Sequence, residues 1–141
     1  MSEQNVELHR RALEAFHARD VEAFIACLDP SVEYHSVMTV PGGAVYHGHD
    51  GVRTYFGDFK DAWGDEFRVE AEAFFDLGEH TLPFYAIHGR GQQSGAEVAM
   101  PGAQVCSWSA NLMVYGKAYV HREDALTDLG VSEDALEPIV P

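Results

Sequence analysis

Residues 52–75, VRTYFGDFKDAWGDEFRVEAEAFF, change their hydrophobic period part-way along the stretch. Up to Trp63, the apolar side chains recur every three or four positions, as they do along one face of a helix. After Gly64 they alternate with charged side chains, which is typical of a strand with one buried face. A helix that leads directly into a half-buried strand predicts a domain built from both kinds of element.

Two helices are predicted nearer the N-terminus. Residues 3–19 contain neither Gly nor Pro and place their apolar side chains on one stripe. Asp20 is a suitable N-cap for a second helix, over residues 21–28. The apolar side chains of that helix follow the spacing i, i+3, i+4, i+7, and Pro30 ends it.

The segment between the second and third helices changes character twice. Residues 32–38 favour an extended conformation, and Pro41-Gly42-Gly43 marks a loop. Asp50 follows at a position suited to cap the third helix, because its carboxylate can accept hydrogen bonds from the first turn.

Three further strands are predicted after the first, at residues 81–88, 94–108 and 112–121. Short turns separate them, one near Asn111, and consecutive strands with short turns pair antiparallel. Pro101-Gly102 predicts a bulge or bend, because proline cannot donate a hydrogen bond to the ladder. A short helix over residues 123–129 is expected to end at Gly130, and another helical turn is predicted after Ser132.

These elements predict an α+β domain with three helices in the N-terminal half, a curved, largely antiparallel sheet and a short C-terminal helix. We expect one domain over residues 1–141, with a core at about 6–130 and a tail at 131–141. Several strands are apolar on both faces; the strand at residues 81–88 is one of them. The outer sheet face therefore needs a cover, and a homodimer is the simplest one.

Composition narrows the classes of partner. The chain has 141 residues, of which 46% are hydrophobic, so it can bury a core. Nine Lys and Arg residues stand against 23 Asp and Glu residues, which gives a net charge of −14. Nucleic acids and anionic membrane surfaces both require converging Lys and Arg side chains. Neither is expected as a partner of this acidic protein.

The two cysteines and the N-terminus are also informative. Cys27 and Cys106 form neither a C-x-x-C pair nor the spacing of a zinc finger, and both are predicted to be buried thiols. Residues 1–5 lack the basic and apolar regions of a signal peptide. No apolar run approaches the roughly 18 residues of a membrane span. We therefore expect a cytoplasmic protein.

Three short motifs occur in a recognisable order. They are Tyr46-His47-Gly48-His49-Asp50-Gly51-Val52-Arg53 at the third helix, Gly89-Arg90-Gly91 followed by Ser94-Gly95, and Ala125-Leu126 followed by Gly130. In this order, over residues 6–130, the chain resembles the SnoaL-like group of the nuclear-transport-factor-2-like (NTF2-like) superfamily. The resemblance implies a cone in which helices close one side of a curled sheet around an apolar cavity, usually in a dimer. The group's members include polyketide cyclases, ketosteroid isomerases, epoxide hydrolases, dehydratases and noncatalytic binding domains.

The catalytic positions of these relatives carry other residues in this chain. Matched by motif, the base of the ketosteroid isomerases falls on Tyr34, and their two hydrogen-bond donors fall on Ala12 and Ala103. The aspartate that polyketide cyclases and limonene-type epoxide hydrolases carry on the last strand aligns with Ala118. The resemblance therefore implies the fold and a cavity, but none of these catalytic mechanisms can be transferred to this chain.

His88 and Tyr34 are the predicted catalytic residues. The Arg-x-Asp pair of the epoxide hydrolases falls on Ala86 and His88, and we expect His88 to share an inward face with Phe84 and Ala86. An imidazole there could transfer a proton; alternatively His88 is solvated at the rim of the cone. The Tyr34 phenol could donate a hydrogen bond to a carbonyl, or it is a core aromatic with a local partner.

Other candidates concern the pocket wall and bound groups. Within the resemblance, seven residues are expected to line the pocket: Phe16, Tyr55, Phe59, Trp63, Ala103, Ala118 and Val114. His47, His49 and His35 form the one metal constellation worth naming, but we expect neither a metal nor a cofactor. Gly89-x-Gly91 joins two strands, unlike a dinucleotide-binding loop, and Ser94 lies in no nucleophile motif.

Two functions follow as expectations. The first is a cofactor-free isomerase, cyclase, dehydratase or epoxide-hydrolase-like enzyme, which would act by proton transfer on a small, largely apolar, uncharged molecule. His88 and Tyr34 would be its polar participants. The second is a noncatalytic ligand-binding or dimerisation domain of the same fold, which the alanines at positions 12, 103 and 118 favour.

Overall fold

The computed structural model describes residues 3–40, 42–91 and 95–141. Pro41 and Ser94, which we assigned to a loop and to a strand start, lie outside these ranges. The helices are α1 (Glu3–His17), α2 (Val21–Ile25), α3 (Gly48–Trp63) and α4 (Arg122–Leu129), with a 3₁₀ turn at Glu133–Ala135. The strands are β1 (Leu28–Ser36), β2 (Ala44–His47), β3 (Arg68–Asp76), β4 (His80–Arg90), β5 (Glu97–Ser109) and β6 (Leu112–Tyr119).

The six strands form one mixed sheet in the order β2-β1-β6-β5-β4-β3. Four of the five neighbouring pairs are antiparallel, whereas β1 and β6 run parallel. The register shifts within β1–β6, β3–β4 and β5–β6, and such irregularities increase the local twist and curvature of a sheet. The predicted α+β architecture, with three N-terminal helices and a short C-terminal one, is confirmed.

The boundary between α2 and β1 differs from the prediction. Asp20 caps α2 as expected, because its carboxylate accepts a hydrogen bond from the Ala23 N–H at 3.0 Å. The helix then ends at Ile25, and Leu28 already pairs with Met113 of β6. Pro30 lies within β1 rather than after a helix, at the point where the register shifts and one ladder bond is dispensable.

Strand β2 was not predicted. It pairs with β1 through partners such as Tyr34 and Tyr46, and α3 begins directly after it, at Gly48 instead of Asp50. Gly48 has a φ of +71°, and a Cβ atom there would lie 3.1 Å from the Pro30 carbonyl oxygen. The strand-to-helix corner therefore requires glycine for both its backbone angle and its close approach to β1.

The Pro101-Gly102 pair does not form the predicted bulge. The register between β4 and β5 is continuous through this point, with Tyr85 opposite Gly102 and Ala86 opposite Pro101. Pro101 lies beyond the last β5–β6 pair, Ala103 with Tyr119, so its missing N–H interrupts no bond to β6. Gly102 is constrained by space, because a Cβ atom there would lie 2.6 Å from Ile87 Cδ1.

Helices α1 to α3 pack on the inner face of the sheet, and α4 packs on part of the outer face. The outer cluster consists of Phe75, Leu82, Phe84, Ala103, Val105 and Ala125. Arg122 fastens α4 to the sheet by donating hydrogen bonds to the carbonyl oxygens of Gly102, at 3.1 Å, and Tyr85, at 2.6 Å. The chain thus covers part of the outer face that we expected a second copy to cover, and the homodimer stays a prediction.

Two smaller expectations concern the thiols and the membrane. Cys106 is buried and Cys27 is half-buried, and both thiols are free. Within the described ranges, no helix is long and apolar enough to cross a membrane.

Candidate functional site

A cavity of about 70 Å³ lies between the helices and the inner face of the sheet. Eight of its described lining residues are phenylalanine or tyrosine: Phe16, Phe24, Tyr34, Tyr55, Phe59, Phe67, Tyr85 and Tyr119. Half-buried Val37, Met38 and Met100 also border it and lie nearer to solvent. Among the described lining residues there is no Asp, Glu, Lys or Arg. The wall is therefore uncharged except where histidine could titrate.

Alternation along the strands determines which side chains face the cavity. Tyr85 and Ile87 of β4 and Gln104 of β5 border it. Tyr34 reaches it from β1 and packs against Phe24 of α2, with the ring centroids 6.0 Å apart. The helices thus close the space that the inward side chains of the sheet leave open.

Six buried polar side chains form a hydrogen-bonded group at this wall, which we call the His9 cluster: His9, Tyr34, Thr81, Tyr85, Gln104 and Trp108. At one end, the Trp108 indole Nε1–H donates to Thr81 Oγ1 at 2.8 Å. Thr81 Oγ1 lies 2.7 Å from His9 Nδ1. This end of the cluster lies away from the cavity, because neither Thr81 nor Trp108 borders it.

The other end of the His9 cluster reaches the cavity. His9 Nε2 lies 3.2 Å from both Gln104 Oε1 and Tyr85 Oη. The Tyr85 hydroxyl donates to Gln104 Oε1 at 2.9 Å, and Gln104 Nε2 donates to Tyr34 Oη at 3.0 Å. The ring of Tyr55 packs against that of Tyr34, with the centroids 5.0 Å apart. A continuous chain of hydrogen bonds therefore joins Trp108 to Tyr85 and Tyr34.

Burial sets the charge state of the cluster. It lowers the pKa of His9 from 6.5 to about 4, although the hydrogen bond with Gln104 acts in the opposite direction. Burial also raises the pKa values of Tyr34, Tyr55 and Tyr85 above the usual value of 10.0. At neutral pH all four side chains are uncharged, so the cavity wall is polar at this end without carrying charge.

The two predicted catalytic residues lie on different sides of the sheet. Tyr34 borders the cavity and belongs to the His9 cluster. His88 lies on the outer face of β4, because Tyr85 and Ile87 face inward and successive side chains of a strand alternate. Our expectation that Phe84, Ala86 and His88 point inward was therefore wrong: Phe84 packs in the outer cluster instead.

Five of the seven residues expected along the pocket border the cavity: Phe16, Tyr55, Phe59, Ala103 and Ala118. Ala103 is opposite Phe84 and also belongs to the outer cluster, so it borders the cavity from a strand position that faces outward. Trp63 lies outside this lining, and its Nε1–H donates to the Met38 carbonyl oxygen at 2.7 Å. Val114 also lies outside it, next to the register shift between β5 and β6. Trp63 supports the segment at the cavity edge by holding the Met38 backbone, a role that its spacing on the helix did not indicate.

The three histidines of the possible metal constellation have other partners. His49 Nε2 donates to the Leu28 carbonyl oxygen at 2.9 Å, and His35 Nε2 lies 2.6 Å from Glu33 Oε2. His47 is at the end of β2, opposite Glu33. Over the ranges that the structure describes, no group of three or more His, Cys, Asp or Glu side chains could hold a metal ion.

Our sequence analysis missed most of the His9 cluster. His9 lies on the apolar stripe of α1, three residues after Val6 and three before Ala12, and all three are buried. Gln104 is likewise a lone polar residue among buried neighbours in β5. The available signal was a polar side chain on an apolar face, which requires an internal hydrogen-bond partner.

Comparison with known proteins addresses the fold. The SnoaL-like domain matches residues 9–115. An NTF2-like protein of unknown function from Burkholderia pseudomallei K96243 is 22% identical, with a TM-score of 0.74 over 90% of this chain and 97% of that one. TerC co-crystallized with polyporic acid is 16% identical, with a TM-score of 0.73 over 89% and 97% of the two chains.

A third solved structure is a hypothetical protein with a ketosteroid isomerase-like fold from Catenulispora acidiphila DSM 44928, in complex with trimethylamine. It is 14% identical, with a TM-score of 0.71 over 91% of this chain and 95% of that one. No curated protein matches the chain significantly in sequence. At these identities the structural likeness establishes a shared fold, and the family match extends over most of the sequence. The chain belongs to the SnoaL-like domain family.

Proposed function

We propose that this protein binds a small, uncharged, largely apolar molecule in the cavity. The observation that carries the proposal is the wall itself, which is aromatic and aliphatic with one neutral polar end. A charged ligand would lose its hydration there without meeting an opposite charge among the described lining residues, and such a loss is costly. A neutral molecule with one polar group fits both parts of the wall.

The size of the cavity limits the size of the ligand. Its volume of about 70 Å³ is well below the roughly 300–1,000 Å³ of sites for drug-sized molecules. Apolar cavities of ~150 Å³ bind benzene. Met38 and Met100 border the cavity, and methionine side chains adapt readily to a neighbour's shape. We therefore propose ligands of one small ring, for which these two side chains make room.

Ala12 offers a direct test, because it faces the cavity from α1 and is 2% exposed. We expect Ala12→Leu to abolish binding of cyclopentanone, since the larger side chain occupies the ligand's space. Ala23→Leu makes the same change at an exposed position of α2 and is expected to bind like the wild type. Ligand-detected NMR titration measures both affinities. Equal binding by wild type and Ala12→Leu would place the ligand elsewhere and contradict the proposal.

Proton-transfer catalysis, as by an isomerase, cyclase or dehydratase, is the second candidate function. The Tyr34 hydroxyl at the cavity wall favours it. Binding ranks first for a physical reason: the shifted pKa values make Tyr34 a weaker acid and His9 a weaker base than usual. Each would exchange protons with a substrate less readily than an ordinary tyrosine or histidine near neutral pH.

Hydrogen–deuterium exchange distinguishes the two functions. We expect the α-hydrogens of cyclopentanone to exchange in D₂O at the buffer rate when the protein is added, because the described cavity wall contains no carboxylate base. NMR follows the loss of the α-hydrogen signal over time. Faster exchange with the wild type that returns to the buffer rate with Tyr34→Phe would instead support catalysis.

A further inference from the structure

We propose that His9 is a positioning residue: through Gln104 it sets the direction of the hydrogen bond at Tyr34, so that the Tyr34 hydroxyl donates its proton to an acceptor on the bound molecule. This inference rests on the proposed binding function and specifies the polar group that the ligand must carry. The order of donors and acceptors in the His9 cluster supports it.

The donor-to-acceptor direction of these hydrogen bonds is set at Trp108, at the end of the cluster that lies away from the cavity. An indole N–H can only donate, so Thr81 Oγ1 accepts from it at 2.8 Å. The Thr81 hydroxyl has one proton, and among the described side-chain hydrogen bonds its only acceptor is His9 Nδ1, 2.7 Å away, so we assign Thr81 as the donor in this bond. A neutral imidazole that accepts at Nδ1 carries its own proton on Nε2. His9 is therefore in the Nε2–H form.

The protonated Nε2 of His9 determines the orientation of the Gln104 side-chain amide. Its Oε1 accepts from the Tyr85 hydroxyl, at 2.9 Å, and lies 3.2 Å from the protonated Nε2 of His9. With the amide oxygen held on this side, the amide Nε2–H donates to Tyr34 Oη at 3.0 Å. The opposite form of His9 would favour a flipped amide, and Tyr34 would then donate to Gln104 rather than accept from it.

Tyr34 is the cluster member that presents a proton to the cavity. The Tyr34 hydroxyl carries one proton of its own and accepts a hydrogen bond from the Gln104 amide at 3.0 Å. Since Gln104 is the donor in that bond, the proton of the Tyr34 hydroxyl is left for a molecule in the cavity. Tyr34 borders the cavity beside Tyr55. The protein should therefore prefer ligands that accept a hydrogen bond, such as ketones and esters, over apolar molecules of the same shape.

The test compares cyclopentanone with methylenecyclopentane, which has the same ring but a CH₂ group in place of the acceptor oxygen. We expect the wild type to bind the ketone roughly tenfold more tightly, the size of one net hydrogen bond. Thr81→Val and Trp108→Phe each remove a hydrogen bond at the Trp108–Thr81–His9 end of the cluster, and neither residue lines the cavity. In both we expect the preference to fall to about twofold or less, with methylenecyclopentane binding unchanged.

Two further measurements separate positioning from a merely structural effect. Imidazole ¹⁵N shifts should show His9 as the Nε2–H form in the wild type and a changed form in Thr81→Val. Thr54→Val makes the same substitution at an exposed position of α3, and it should keep both the His9 form and the ligand preference.

The outcomes are distinct. Equal wild-type affinity for the two ligands, or an Nδ1–H form of His9, would overturn this inference and leave the binding function intact. Binding of neither ligand would overturn both. If Thr81→Val and Trp108→Phe lose affinity for methylenecyclopentane as much as for the ketone, His9 has only a structural role and the inference is likewise overturned.

Discussion

Replacing His9 with leucine is expected to lower the free energy of unfolding by about 3 kcal/mol. Leucine fills similar space but forms no hydrogen bonds, so Thr81 and Gln104 each lose a partner in the protein interior. A buried polar group left without a partner loses its hydration without compensation, which costs more than an ordinary hydrogen bond contributes. Urea denaturation, monitored by tryptophan fluorescence, measures the change.

His121→Leu is the matched control for this variant. His121 is exposed and precedes α4, so the same substitution should alter the free energy of unfolding by no more than about 0.5 kcal/mol. A loss in His9→Leu no larger than that in the control would mean that the His9 cluster contributes little to stability. The ring of His9 also packs edge-on against Phe74, with centroids 5.5 Å apart, and leucine retains part of that apolar contact.

The sequence predicted the fold well because the relevant signals are local. Helical spacing, Gly and Pro positions and period-two alternation identified α1, α3, α4 and four of the strands. Leu28 was predicted to be helical but lies in β1. Its spacing fits the apolar stripe of α2, whereas its pairing with Met113 of β6 determines its conformation. That partner is far away in the chain and has no counterpart in the local pattern.

The site was harder to predict for two physical reasons. Strand β4 is apolar on both faces, so the alternation could not show which face is inner, and His88 was assigned to the wrong one. His9 carries no catalytic motif, and its role depends on Gln104 and Thr81, which the chain brings to it only through folding. A lone buried histidine indicates a polar partner but not its identity.

Acidification is expected to destabilise the protein through His9. In the unfolded chain His9 takes up a proton near pH 6.5, whereas in the folded protein it stays neutral until about pH 4. Between these values the unfolded state binds a proton that the folded state does not, so stability falls as the pH is lowered through this window. The gap of 2.5 pKa units corresponds to a loss of about 3 kcal/mol, complete near pH 4.

His9→Gln isolates this contribution, because glutamine is polar but does not titrate. The pKa of His17 is also lowered by burial, and those of Glu22, Glu33 and Asp128 by their hydrogen-bond partners, so acid weakens the fold at these sites too. Both proteins share these groups. Urea unfolding between pH 7.5 and 4 should therefore show the wild type losing about 3 kcal/mol more than the variant. Parallel profiles for the two proteins would mean that folded His9 titrates near its ordinary pKa, which is incompatible with a buried, neutral imidazole at the centre of the cluster.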